Sequence, residues 1–156
     1  MSKYIFATLL STPNYLPGVK MLYRSLKYFG NTKYPFVVFC SSDLPELCMD
    51  KLGRIGVKCI RLENSTLNEI SKINNLRYTH WCYTFDKLLL WGMTMYEKIV
   101  FLDSDMIVLK NIDELFECQD MSAVQAGRFL YPDWVRLNSG CVVFSPSKTI
   151  FNRLLA

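Results

Sequence analysis

A single histidine, His80, is all the imidazole in this 156-residue chain, and none of its six cysteines falls in a Cys-x-x-Cys pair. Neither a zinc cluster nor a disulfide framework fits that distribution. Cys40 and Cys141 sit inside the apolar runs FVVFC and GCVVF, the setting of buried free thiols in a reducing compartment, so a cytoplasmic location is expected. No stretch reaches the roughly 18 apolar residues that cross a bilayer, and no membrane span is expected. The opening MSKYIFATLLSTP has one lysine and a short semi-apolar run with no small-residue cleavage site after it, and it suits a first strand equally well. Lysine plus arginine exceed aspartate plus glutamate by four (18 − 14), without any basic stripe. That balance fits a phosphate-bearing ligand and argues against nucleic acid as a partner. Internal repeats, low-complexity tracts and linkers are also lacking.

What is present is a core. Hydrophobic residues make up 51% of the chain and aromatics 14%, enough for one domain over residues 1–156 and too little for two. YIFATLL (4–10) reads as a strand and STPNYLPG as a turn-rich loop. Pro17 suits the first turn of a helix on which Val19, Leu22, Leu26 and Phe29 share a face, closed by Gly30. PFVVFC (35–40) and VKCIRL (57–62) read as strands, with a helix between them carrying Leu47, Leu52 and Ile55. Residues 63–82 are weakly patterned. TFDKLLLWGM predicts a helix capped by Thr84, with Phe85, Leu88 and Leu89 on one face. Strands follow at 98–103, at MIVL, at MSAVQA and at GCVVFS, with a helical turn at KNIDELFE and a last helix capped by Ser147. Alternating β and α elements imply an α/β fold, a mostly parallel sheet with helices on both faces.

Within that frame the stretch KIVFLDSDMIVL (98–109) stands out. A strand buried on both faces runs into Asp103 and Asp105, and alternation along extended chain sends residues two apart to the same side, roughly 7 Å apart. Two carboxylates that close repel unless a cation or a shared proton lies between them, and hard oxygen ligands suit Mg²⁺ or Mn²⁺. Asp-Ser-Asp is equally ordinary turn chemistry, so the tripeptide alone does not decide. Both it and the loop at 11–17 lie at carboxyl ends of strands, where open α/β sheets bind ligands.

Four ordered blocks decide further. YEKIVFLDSDMIVLKNIDELF (96–116), ATLLSTPNYLPGVKMLYRSL (7–26), FDKLLLW (85–91) and LNSGCVVFSPS (137–147) together resemble the glycogenin-like members of glycosyltransferase family 8. The resemblance implies a GT-A-type, Rossmann-like transferase that moves a hexosyl group from a UDP-sugar, with retention of configuration, to a carbohydrate or protein acceptor, using Mn²⁺ or Mg²⁺. It implies that Asp103 touches ribose and metal, that Asp105 binds the metal, and that Ser104 lies against the nucleotide between them. Leu9, Ser11, Thr12 and Tyr15 are placed at the uridine, with Thr12 standing where relatives carry Asn. Lys87 is placed at the ribose or phosphates, Arg77 at the diphosphate, and Asn138 and Ser139 at the sugar. No nucleophile is identified, and a homodimer is among the assemblies to be expected.

The family pattern continues through a Gly-Asp-Gln segment and a His-x-x-Gly-x-x-Lys-Pro-Trp motif, neither of which occurs here. The expectation is therefore a donor-binding part without the acceptor side, either a fragment of a longer enzyme or a catalytically impaired binding module. An Asp-x-Asp after an apolar strand is also similar to haloacid-dehalogenase-type phosphatases. Those carry it on the first strand with a small polar residue two positions on, where this chain has Ile107. His80 is expected at the surface rather than on a metal.

Overall fold

The structure is a computed structural model and describes residues 3–63, 79–125, 127, 133 and 135–155, with the backbone alone at 79–84 and 155. Six strands form one sheet: β1 (Tyr4–Leu10), β2 (Phe36–Cys40), β3 (Lys58–Arg61), β4 (Lys98–Leu102), β5 (Ser122–Gln125) and β6 (Leu137–Phe144). Their order is β3-β2-β1-β4-β6-β5. The first four are mutually parallel, and β6 runs antiparallel to both of its neighbours. β1 lies between β2 and β4, and six of its seven residues are buried, which is why it reads as a continuous apolar run instead of an alternating one.

Helices cover both faces, as expected. One face holds Leu16, Val19, Leu22 and Leu26 of α1 (Leu16–Tyr28), Cys48 and Leu52 of α2 (Glu46–Gly53), and Phe116 of a 3-10 turn at Asp113–Glu117. The other holds Leu90 and Trp91 of a 3-10 segment at Thr79–Gly92, with Ile150 and Phe151 of α3 (Lys148–Leu155) packed against them. Trp91 stacks on Phe144 of β6 at 3.8 Å between ring centroids. Pro17 occupies the first turn of α1, and Gly30 ends it, where a Cβ would come within 2.6 Å of the Leu26 carbonyl oxygen. Ser147 accepts the Ile150 N–H and so caps α3.

Four local expectations differ. Phe29 is exposed, because it caps α1 just where the chain turns away at Gly30. Leu47 is exposed because the buried stripe of α2 runs through Cys48 and Leu52, and Leu47 lies about 100° off it. The helical segment includes Thr79–Gly92, so Thr84 lies inside it; the deepest of its described apolar side chains are Leu90 and Trp91, with Phe85, Leu88 and Leu89 half-buried. MIVL is no strand. The Val108 N–H donates to the buried Ser25 hydroxyl of α1 at 3.0 Å, and Ser25 donates to Leu22 O, so a helix takes the bond that a neighbouring strand would have taken. Cys40, Cys48, Cys59, Cys118 and Cys141 are free thiols, while Cys82 lies outside the described side chains.

Candidate functional site

The chain winds from β1 outward through β2 to β3, then returns to the far side of β1 at β4. That reversal opens a crevice beyond the carboxyl ends of β1 and β4, the place where open α/β sheets bind ligands. Two short loops meet there. Leu10 of β1 leads into Ser11, Thr12 and a 3-10 turn at Pro13–Tyr15; Leu102 of β4 leads into Asp103, Ser104 and Asp105. The acidic loop touches the start of α1 at Gly18, where a Cβ would sit 2.4 Å from the Ser104 carbonyl oxygen. Only glycine lets the start of α1 approach the acidic loop so closely.

Asp103 is the centre of the contacts. Its N–H donates to Gly140 O at 2.7 Å, which carries the β4–β6 pairing one step past Leu102 and Cys141. Its Oδ1 accepts from Lys87 Nζ at 3.0 Å, and the same ammonium lies 3.4 Å from Ser139 Oγ. Lys87 is mostly sheltered, with its side chain 15% exposed against 39% for Asp103, and it sits over the Phe101 ring. On the opposite strand Asn138 Oδ1 accepts the Gly140 N–H at 2.7 Å, folding Asn-Ser-Gly into a side-chain-closed turn. A Cβ at position 140 would fall 2.9 Å from Asn138 Oδ1 and 3.1 Å from Asp103 Oδ2, so the missing side chain makes room for the carboxylate. Burial, reinforced by the Cys118 thiol and the Asp103 carboxylate, pushes the neighbouring Cys141 thiol up and leaves it neutral.

Asp105 is exposed, and the strand argument for its direction does not apply. The strand stops at Leu102, and Met106 N–H closes a turn onto Asp103 O at 3.2 Å, so the two carboxylates leave a turn and not an extended chain. Ser104 is half-buried between them. Ser11 and Thr12 are half-buried in the facing loop, and Tyr15 is half-exposed there. Leu9 is buried in the core on the face of the 3-10 segment. Arg77 lies outside the described residues, as does the side chain of His80.

Two supporting groups escape a motif-based reading. Asp86, almost wholly buried beside Lys87, accepts from Ser41 Oγ at 2.6 Å, while the Ser41 N–H donates to Leu10 O. This pair ties the lysine-bearing segment to the end of β2. The neighbouring loop is held in turn by Arg61, whose Nη1 donates to Ser42 O and Leu44 O. An acidic residue inside an otherwise apolar helical pattern was the available signal for Asp86.

This architecture is shared with solved glycosyltransferases of the GT-A type. An active-site mutant of LgtC superposes with a TM-score of 0.70 at 16% identity, over 93% of this chain and 58% of that one. The glycosyl transferase family 8 profile matches residues 7–152, and the chain belongs to that family. It is 32% identical to inositol phosphorylceramide glucuronosyltransferase 1 of Arabidopsis thaliana, over 99% of this chain and 26% of that protein. It is 31% identical to mouse glycogenin-1, over 99% of this chain and 45% of that protein. The chain therefore spans less than half the length of these relatives. With Asp-x-Asp on the fourth strand of such a sheet, the phosphatase alternative has no support.

Proposed function

We propose that this chain forms the donor-binding part of a glycosyltransferase that moves a hexosyl group from a UDP-sugar to a carbohydrate or protein hydroxyl, with retention of configuration. The observation that carries this reading is the seating of Asp103 between Lys87 and Gly140 at the switch point, in a loop that packs on the start of α1 at Gly18. Two oxygen-only ligands, Asp103 and Asp105, fit a hard divalent cation such as Mn²⁺ or Mg²⁺, and Gly140 leaves space beside Asp103 Oδ2. When bound, such an ion supplies Lewis-acid neutralisation of the departing diphosphate. Among the described residues no third His, Cys, Asp or Glu joins the pair. Lys87 supplies a positive charge where negative charge develops, held in place through Asp86 and Ser41. Tyr15, Thr12 and Ser11 face the base side, Asn138 and Ser139 the sugar side, and Arg77 is assigned to the diphosphate. The free thiols fit a reducing, cytoplasmic setting.

Calorimetric titration of UDP with and without Mn²⁺ tests the reading. Tight binding in Mn²⁺ that weakens at least tenfold in chelator is expected; equal affinity under both conditions would overturn the paired-carboxylate role.

A further inference from the structure

The second half of the 96–116 block does not face Asp103. Asn111 donates through Nδ2 to Gly30 O at 2.7 Å and to Asn31 O at 3.5 Å, while Asp113 accepts from the Thr32 hydroxyl and from the Lys33 N–H. These bonds hold the loop after α1 in an unusual shape, with Asn31 in the left-handed region at φ 41°. Asparagine enters that region more readily than most residues, and these bonds fix the loop in it. The loop forms one rim of a cavity of about 360 Å³, within the range of small-molecule sites. The opposite rim is Gly56, at φ 84°, and Lys58.

The lining is chemically one-sided. Tyr23, stacked on Phe36, and Tyr34 provide aromatic surface; Lys27 and Lys58 provide two exposed ammonium groups; no carboxylate lines the cavity. Neither lysine has an ion-pair partner among the described residues, and Lys27 lies over the Tyr23 ring at 5.8 Å. The cavity opens at the amino ends of β2 and β3, whereas Asp103 follows the carboxyl end of the parallel β4. The sheet separates them by ~16 Å, the length of a five-residue strand. It cannot belong to the donor crevice.

We propose that this cavity is a second ligand site, taking a sugar ring that bears an anionic group, carboxylate or phosphate. The two ammonium groups neutralise the anion, the half-buried Tyr23 and Tyr34 border the sugar ring, and the exposed Asn31 amide is available to ring hydroxyls. This inference does not depend on the donor reading.

Glucose 6-phosphate and glucuronate are titrated calorimetrically in chelator, with glucose and inorganic phosphate as controls. At least one anionic sugar should saturate with an affinity that both controls lack, and show which anion is preferred. The double variant Lys27→Met/Lys58→Met should weaken that binding at least tenfold, while Asp105→Asn should leave it unchanged. Absence of saturation, indifference to the double variant, loss in Asp105→Asn, or equal affinity for bare phosphate would each overturn the proposal.

Discussion

Lys87 and Asp105 differ in what the free protein asks of them. Asp105 is exposed and makes no bond on which the core relies, so Asp105→Asn should leave thermal stability within about 0.5 kcal/mol while abolishing the Mn²⁺ dependence of UDP binding. A large fall in the melting temperature of the metal-free variant would show that the residue is structural. Lys87 already occupies Asp103 Oδ1 as a cation. A divalent ion competing for that carboxylate meets both the lost ion pair and repulsion from the ammonium. Lys87→Met should therefore strengthen Mn²⁺ binding severalfold when no nucleotide is present, since a partly exposed pair is worth about 1 kcal/mol, and weaken UDP binding when it is. Paramagnetic resonance of bound Mn²⁺ reads the first effect and calorimetry the second. Unchanged Mn²⁺ affinity would mean that the ion does not meet Asp103.

At the scale of elements, the segment after the acidic loop shows how far sequence pattern reaches. MIVL has strand-like composition, yet Val108 is buried while Ile107 and Leu109 are exposed, and its backbone is fixed by the Ser25 hydroxyl. Ser25→Ala should leave a buried N–H unsatisfied and cost about 1–3 kcal/mol, lowering the melting temperature by several degrees. Ser25→Thr, which keeps the hydroxyl, should recover part of the loss; equal loss in both variants would assign the effect to packing instead. The elements β1, β2 and β4, as continuous apolar runs buried on both faces, and α1, by its periodic apolar stripe, were legible because local pattern matched environment. MIVL and the role of Asp86 were not, since long-range partners set them: Ser25 is 83 residues from Val108, and Asp86 is 45 from Ser41. In the site, the acidic pair and Asn-Ser-Gly could be read as blocks, whereas the ion pair that joins Lys87 to Asp103 depended on the fold.

For the whole molecule, the last expectation concerns turnover. On the proposed reading Asp103 and Asp105 would supply carboxylate oxygens to a cation that prefers six ligands, and the described residues add no third His, Cys, Asp or Glu to the pair. A loosely held ion neutralises a leaving group less well, and loss of one well-placed transition-state donor can cost about a hundredfold or more in rate. The crevice at β1 and β4 also has to orient an acceptor hydroxyl and exclude water before transfer outpaces hydrolysis. This chain spans 26% and 45% of the two relatives that it matches over nearly its whole length. The 156-residue chain should therefore bind UDP but release it from UDP-glucose or UDP-galactose slowly, and mainly by hydrolysis. The assay compares UDP release and acceptor glycosylation, with Mn²⁺, for this chain and for any longer form of it. Transfer by the short chain at the rate of a longer one would show that the donor crevice performs the chemistry unaided.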